Sequence, residues 1–227
     1  FGILPKADLV VKRVEPFREQ KGAAQHYFAG TPDGSRDGVY YAHMTDMRDL
    51  PIPQLEVIAY HEGNPGHHMQ ISIAQEATGV PKFRTQAGYT AYSEGWGLYS
   101  EYLAKEMGAY QDPYSDFGRL SSELWRAIRL VVDTGIHAKR WTREQAIDWF
   151  AQTNGSGRAE VASEVDRYCS WPGQACGYKV GHGEILALRE QAKAALGAKY
   201  DLREFNDAVV GGGNVPLDVL GQNVERY

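Results

Sequence analysis

"YHEGNPGHHMQ", residues 60–70, decides how this chain reads. It opens on His61-Glu62 and closes on His67-His68, with Pro65-Gly66 between them. The regular helical zinc motif H-E-x-x-H sets two histidines one turn apart on one face, and its Glu takes a proton from water. Here the fourth position after His61 is Pro65, and the next histidines are His67 and His68. On an unbroken helix, His61 and His68 would lie about 10 Å apart along the axis, too far to share one ion. His67 would point the wrong way. Pro65 removes a backbone donor and Gly66 admits unusual dihedrals, so the sequence favours a break at Asn64-Pro65-Gly66. A bulge or kink there moves His67 into the place of the motif's second histidine. His67 is therefore preferred as a ligand, with His68 as the alternative. Clustered histidines can be a surface accident, but His-Glu plus His-His behind an amphipathic helix start points to metal.

Zinc hydrolysis needs three protein ligands and one open position. The stretch "TAYSEGWGLYSEYL" (90–103) offers the third. Tyr89, Tyr92, Trp96, Tyr99 and Tyr102 form an aromatic stripe, read most simply as core. Glu94 falls on another face with Ala87, Ala91, Leu98 and Glu101. Small alanines there would let a second backbone approach, so Glu94 could reach an ion; Glu101, one face-repeat later, is the competitor.

Further from the motif, the first 50 residues differ from the rest. "DLVVKRVE" (8–15) and "GVYYAHMTD" (38–46) are β-branched and aromatic, and "GTPDGSRDG" (30–38) is a polar loop between them. A small β-containing segment is expected over 1–50, with "GVYYAHMTD" able to bind a peptide as an added strand. A covered edge is the duller account. From Pro51 to residue 227 the periodicity is helical and continuous, as in one metal-binding catalytic region. The pattern predicts a start near Pro51 and further helices over 85–107, 114–140, 142–152, 158–170, 173–196 and 201–210, with a short helix in the tail. The fold class is mainly α.

Within 114–140, Phe117, Leu120, Leu124, Ile128, Val131 and Ile136 make an apolar stripe. Arg126, Arg129, Asp133, His137 and Arg140 make an ionisable one. The second stripe is either a solvated face with ion pairs or the lining of a polar cavity.

Net charge is −5 over 227 residues, with a pI near 5.8, and this gives no electrostatic footprint for nucleic acid or anionic lipid. No apolar run approaches a membrane span. Cys169 and Cys176 lack zinc-finger spacing. A bridge across Trp171-Pro172-Gly173 is conceivable, but small buried hydrophobes are the simpler account. The chain starts at Phe1, which suggests a missing N-terminal portion that could form the opposite wall of a cleft. Compartment stays open, an exported or periplasmic one included.

Four stretches, "HEGNPGHHMQ", "SEGWGLYSE", "VVDTGIHAKRW" and "RYCSWPGQACGYKVG", resemble in order the bacterial family catalogued as domain of unknown function 885. That family is similar to the gluzincin metallopeptidases, and this chain resembles the C-terminal portion of its longer members. The resemblance implies a helical, gluzincin-like catalytic domain with a small β element at the site edge. It implies one Zn²⁺ on His61, His67 or His68, and Glu94, with Glu62 as general base and a peptide or small amide as substrate. For the oxyanion, Tyr178 is the first candidate donor, on a helix begun near Pro172. His137 is the second, unless it only supports the site through Asp133. Arg129 and Arg167 could clamp a substrate carboxylate, or simply sit in ion pairs. The alternatives are a non-peptidase zinc amidase and a metal-stabilised helical interaction domain without catalysis, whose ion would need four protein ligands.

Overall fold

The computed structural model describes residues 1–19, 23–44 and 51–227. Three short strands come first: β1 Leu9–Arg13, β2 His26–Phe28 and β3 Gly38–Ala42. β3 is the middle strand, parallel to β1 and antiparallel to β2. β1 and β3 were legible as β-branched runs; β2, only three residues long, was not. The order corrects one expectation. Both edges of Gly38–Ala42 are already paired, so this strand cannot accept a further strand, and the outer edges belong to β1 and β2. Residues 45–46 of the predicted stretch lie outside the described residues.

Ten helices follow among the described residues: α1 Ile52–Glu62, α2 His67–Glu76, α3 Lys82–Gln86, α4 Thr90–Glu106, α5 Pro113–Lys139, α6 Arg143–Asn154, α7 Arg158–Ser170, α8 Gln174–Leu196, α9 Leu202–Val210 and α10 Leu217–Val224. Their ends carry local signals. Asp112 accepts from the Tyr114 N–H at the start of α5, and Arg140 ends that helix at φ 58°. Thr142 and Gln145 form a reciprocal capping box on α6. The helix expected over 85–107 is divided, because Ala87 is extended and α4 begins only at Thr90.

α4 and α8 make the most extensive helix pair. They touch backbone to backbone at Gly95 and Gly181: a Cβ on Gly95 would lie 2.5 Å from Gly181, and one on Gly181 would collide with the Ala91 carbonyl. The aromatic stripe of α4 is core, as its spacing predicts. Tyr92, Trp96 and Tyr99 are fully buried with Met69, Ile185, Phe205 and Val209. Their polar tips are satisfied, Tyr92 on the Val209 carbonyl and Tyr99 on Asn206. A second cluster joins Ile128 and Val132 of α5 to Ile147, Phe150, Val161, Val165 and Tyr168 of α6 and α7.

Only part of the apolar stripe of α5 is core: Ile128 is buried and Ile136 packs against the second cluster. Phe117, Leu120, Leu124 and Val131 are exposed, at 65, 52, 44 and 41%. Of the ionisable stripe, Arg129 and Asp133 are buried. They are tolerated because they are paired: Arg129 with Glu164 at 2.7 Å, and Asp133 with the Gly173 N–H at 3.0 Å. Arg129 and Asp133 therefore face the interior, whereas His137 and Arg140 at the end of the same stripe are exposed. Both cysteines are free; Cys176 is partly buried and Cys169 is exposed, which corrects the buried-hydrophobe reading for Cys169.

Candidate metal centre

The break between the opening and closing histidines is where the sequence places it. α1 ends at Glu62 and α2 begins at His67, so two short helices replace one bulged helix. A Cβ on Gly66 would collide with the carbonyls of Tyr60 and His61, so the turn needs glycine there. The Pro65 carbonyl, released from any helical ladder, accepts from Trp96 Nε1 at 2.9 Å and Ser100 Oγ at 3.2 Å. α4 thus pins the turn. The turn folds the closing histidine back: the rings of His61 and His67 are 4.7 Å apart and nearly perpendicular, at 88°.

Glu94, from the first turns of α4, meets both. Its Oε2 lies 3.2 Å from His67 Nε2 and 3.6 Å from His61 Nε2. One ligand atom from each of His61, His67 and Glu94 falls within 4.8 Å of the others. Tetrahedral zinc with ligand bonds of about 2.0–2.2 Å sets its donors about 3.4 Å apart, a spacing that the two measured distances bracket. The donor set, two nitrogens and a carboxylate, suits that ion. Glu101 is not in the triangle. Its Oε1 sits 2.7 Å from His61 Nδ1, and its Oε2 accepts from Ser122 Oγ at 2.9 Å. This is the carboxylate–histidine arrangement that orients a ligand ring. His67 Nδ1 is buried with no such partner among the described residues.

The electrostatics ask for positive charge. Burial alone would raise the Glu94 carboxyl, yet the hydrogen bonds and charge of His61 and His67 hold it well below the usual carboxylate range. Burial alone would lower His61, but Glu101 and Glu94 bring it up to about 10. The two carboxylates thus favour positive charge at His61.

His68 points elsewhere. Its Nδ1 meets the Tyr27 hydroxyl at 3.0 Å and its Nε2 the Ala7 carbonyl at 3.1 Å. It ties α2 to β2 and to the segment before β1. Glu62 follows His61 in the chain and its charge is felt there; it is only 9% exposed, and its Oε2 accepts from the Tyr27 backbone N–H at 2.8 Å. The outward edge of β2 therefore fixes this carboxylate. Tyr27 was missed by sequence reasoning, since a backbone donor leaves no trace in residue type.

Tyr178, on α8, is brought to the site: its ring lies 6.1 Å from that of His61 at 20°. His137 is not. Its Nε2 meets the Tyr168 carbonyl at 2.9 Å, and Asp133 caps the Gly173 turn instead of holding His137. Arg129 and Arg167 converge on Glu164, at 2.7 and 3.5 Å, and Arg167 also donates to Gln174. Both are ion-pair members here.

Gly97 has a role that sequence reasoning did not assign. A Cβ there would lie 2.6 Å from His61 Cε1 and 2.9 Å from its Nε2. Gly97→Ala is expected to displace the His61 ring and so to weaken about 10- to 100-fold the hold of the triangle on any zinc it takes up, as loss of ligand support does. Alanine is the better helix former, so α4 itself should not weaken. Elemental analysis beside far-UV circular dichroism checks this: zinc falls while helicity holds.

Residues 1–224 match a family of bacterial proteins of unknown function, DUF885. A crystal structure of "the putative lipoprotein from Colwellia psychrerythraea" is similar over the whole chain, at 47% identity and a TM-score of 0.97. A solved structure of "a putative lipoprotein of unknown function from Shewanella oneidensis" is similar over 96% of it, at 26% identity and a TM-score of 0.79. This chain spans 39% and 40% of those two chains. No curated protein matches it. No described helix is long and apolar enough to cross a membrane. By its match over nearly its full length, the chain belongs to the bacterial DUF885 family.

Proposed function

We propose that this chain is the metal-binding catalytic part of a zinc-dependent peptidase. The observation that carries the reading is the spacing of Glu94 from His61 and His67, at 3.6 and 3.2 Å. Glu94 already hydrogen-bonds His67 at 3.2 Å, and one ligand atom from each of the three residues lies within 4.8 Å of the others, a span that a single cation can bridge. Three donors leave a coordination position open, and the buried Glu62, whose charge is felt at His61, is free of the ligand set; a purely structural site would close its shell.

Zinc bound there would supply Lewis acidity, polarising the scissile carbonyl and lowering the pKa of a water. The residues do the rest. Glu62, aimed by the Tyr27 N–H, takes the proton from the attacking water and hands it to the leaving amine. Glu101 holds the His61 ring through Nδ1 so that Nε2 faces the open side. Tyr178, whose ring stacks beside that of His61, would donate a hydrogen bond from its hydroxyl to the oxyanion. The half-buried Glu94 and the buried histidines keep bulk water from the donors. A zinc amidase acting on non-peptide substrates would use the same groups. The two solved relatives' names support an exported protein.

The test is purified protein assayed for metal and for cleavage of a mixed peptide library. About one zinc per chain and hydrolysis abolished by a chelator and restored by zinc are expected. Zinc-loaded protein that cleaves no peptide would overturn the peptidase reading, and cleavage of non-peptide amides alone would move it to the amidase.

A further inference from the structure

The carboxylate that steadies His61 is itself steadied from α5. Glu101 is only 1% exposed, so its charge needs partners, and its two oxygens have different ones. Oε1 meets His61 Nδ1 at 2.7 Å, and Oε2 accepts from Ser122 Oγ at 2.9 Å. Ser122 Oγ in turn accepts from Arg126 Nη1 at 2.9 Å, and Arg126 Nη2 faces Glu101 Oε1 at 3.9 Å. Ser122 and Arg126 stand one turn apart on α5, so one helix face carries both. The guanidinium also lies against the Tyr178 ring, with its carbon 5.6 Å from the ring centre. Arg126 therefore backs the Nδ1 side of His61, while Nε2 of that ring is turned to Glu94.

The chemistry of these groups sets a direction along the chain. A guanidinium donates and never accepts, so Arg126 occupies a lone pair of Ser122 Oγ. The hydroxyl has one proton, which is then left for Glu101 Oε2. An ionised carboxylate only accepts, so the proton in the bond between Glu101 and His61 sits on Nδ1. With Nδ1 protonated and bonded, a neutral imidazole offers its lone pair at Nε2, the atom that a metal ion would take. A group at position 126 that could accept as well as donate would let Ser122 turn its proton away. Glu101 would then lose one of its two donors and the facing positive charge while staying buried.

We propose that Arg126 is a positioning residue of the metal centre, setting through Ser122 and Glu101 the orientation and tautomer in which His61 offers Nε2 to the ion. This rests on the metal-centre part of the reading above and not on the peptide substrate.

The experiment is a double-mutant cycle on zinc affinity, measured by chelator competition for the wild type, Arg126→Gln, Glu101→Gln and the variant carrying both. Arg126→Gln should weaken zinc binding about 10-fold, the lower end of the cost of losing a ligand's support. Glutamine can accept, so it no longer fixes the Ser122 hydroxyl; lysine only donates, so Arg126→Lys should recover most of the affinity. Ser122→Ala, which removes the relaying hydroxyl, should weaken binding by a similar factor. In the Glu101→Gln background, Arg126→Gln should cost less than about 2-fold, because the group through which it acts is gone. Circular dichroism checks that each variant folds. Additive losses, no recovery with lysine, or unchanged affinity in Arg126→Gln would overturn the relay and leave the metal centre standing. Coupling between positions 101 and 126 in zinc-loaded protein that cleaves no peptide upholds the relay and overturns the peptidase reading. A wild type that binds no zinc overturns both.

Discussion

His67→Ala is expected to lower zinc affinity by more than about 100-fold, while His68→Ala leaves one zinc per chain. The contrast separates two adjacent histidines that the sequence could only rank. His67 Nε2 faces Glu94 and His61, so its loss removes one of three donors. Removing only a hydrogen-bond partner of a ligand costs about 10- to 100-fold, and a ligand itself costs more. His68 instead bridges the Tyr27 hydroxyl and the Ala7 carbonyl, and burial lowers its pKa. It acts as a neutral strut. Its truncation leaves buried partners unsatisfied, at about 1–3 kcal/mol, and so should lower the melting temperature. A chelator competition assay and a thermal melt on both variants decide it. Equal zinc loss in the two would mean that His68 shares the ion, and full zinc retention in His67→Ala would remove His67 from the ligand set.

The reach of sequence reasoning differs from element to element. α5 to α9 were legible because Pro, Gly, Thr and Asp punctuate them and the apolar period between those marks is regular. The turn at residues 63–66 was legible for a stronger reason. Pro65 and Gly66 exclude a continuous helix, so the two histidines had to converge or be unrelated. The choice between Glu94 and Glu101 was out of reach. They lie on one face of α4, and only the depth of α1 against that face makes one meet Nε2 of His61 and the other Nδ1. The orientation of α5 was hidden likewise. Its apolar and ionisable stripes are both regular, and partners distant in sequence, Glu164 on α7 and Gly173 before α8, allow Arg129 and Asp133 inside. Backbone donors such as Tyr27 N–H carry no signal in residue type at all.

Glu62→Gln is expected to keep the zinc and lose turnover by about 10²- to 10⁴-fold, the usual contribution of a general base. The substitution is nearly isosteric, and its amide oxygen can still accept from the Tyr27 N–H, so neither the strand contact nor the fold should change. What it removes is basicity: an amide cannot hold the proton of the attacking water. The prediction is specific to this carboxylate because the others nearby are engaged. Glu94 faces both histidines of the triangle, and Glu101 is held by His61 and Ser122. Glu101→Gln should therefore act through His61, weakening zinc affinity, whereas Glu62→Gln should leave affinity intact and lower kcat. Zinc content with steady-state kinetics on both variants separates these outcomes. Undiminished hydrolysis by zinc-loaded Glu62→Gln would reassign the base and leave Glu62 as an anchor for β2. Loss of zinc in that variant would place Glu62 among the ligands, closing the position that water needs.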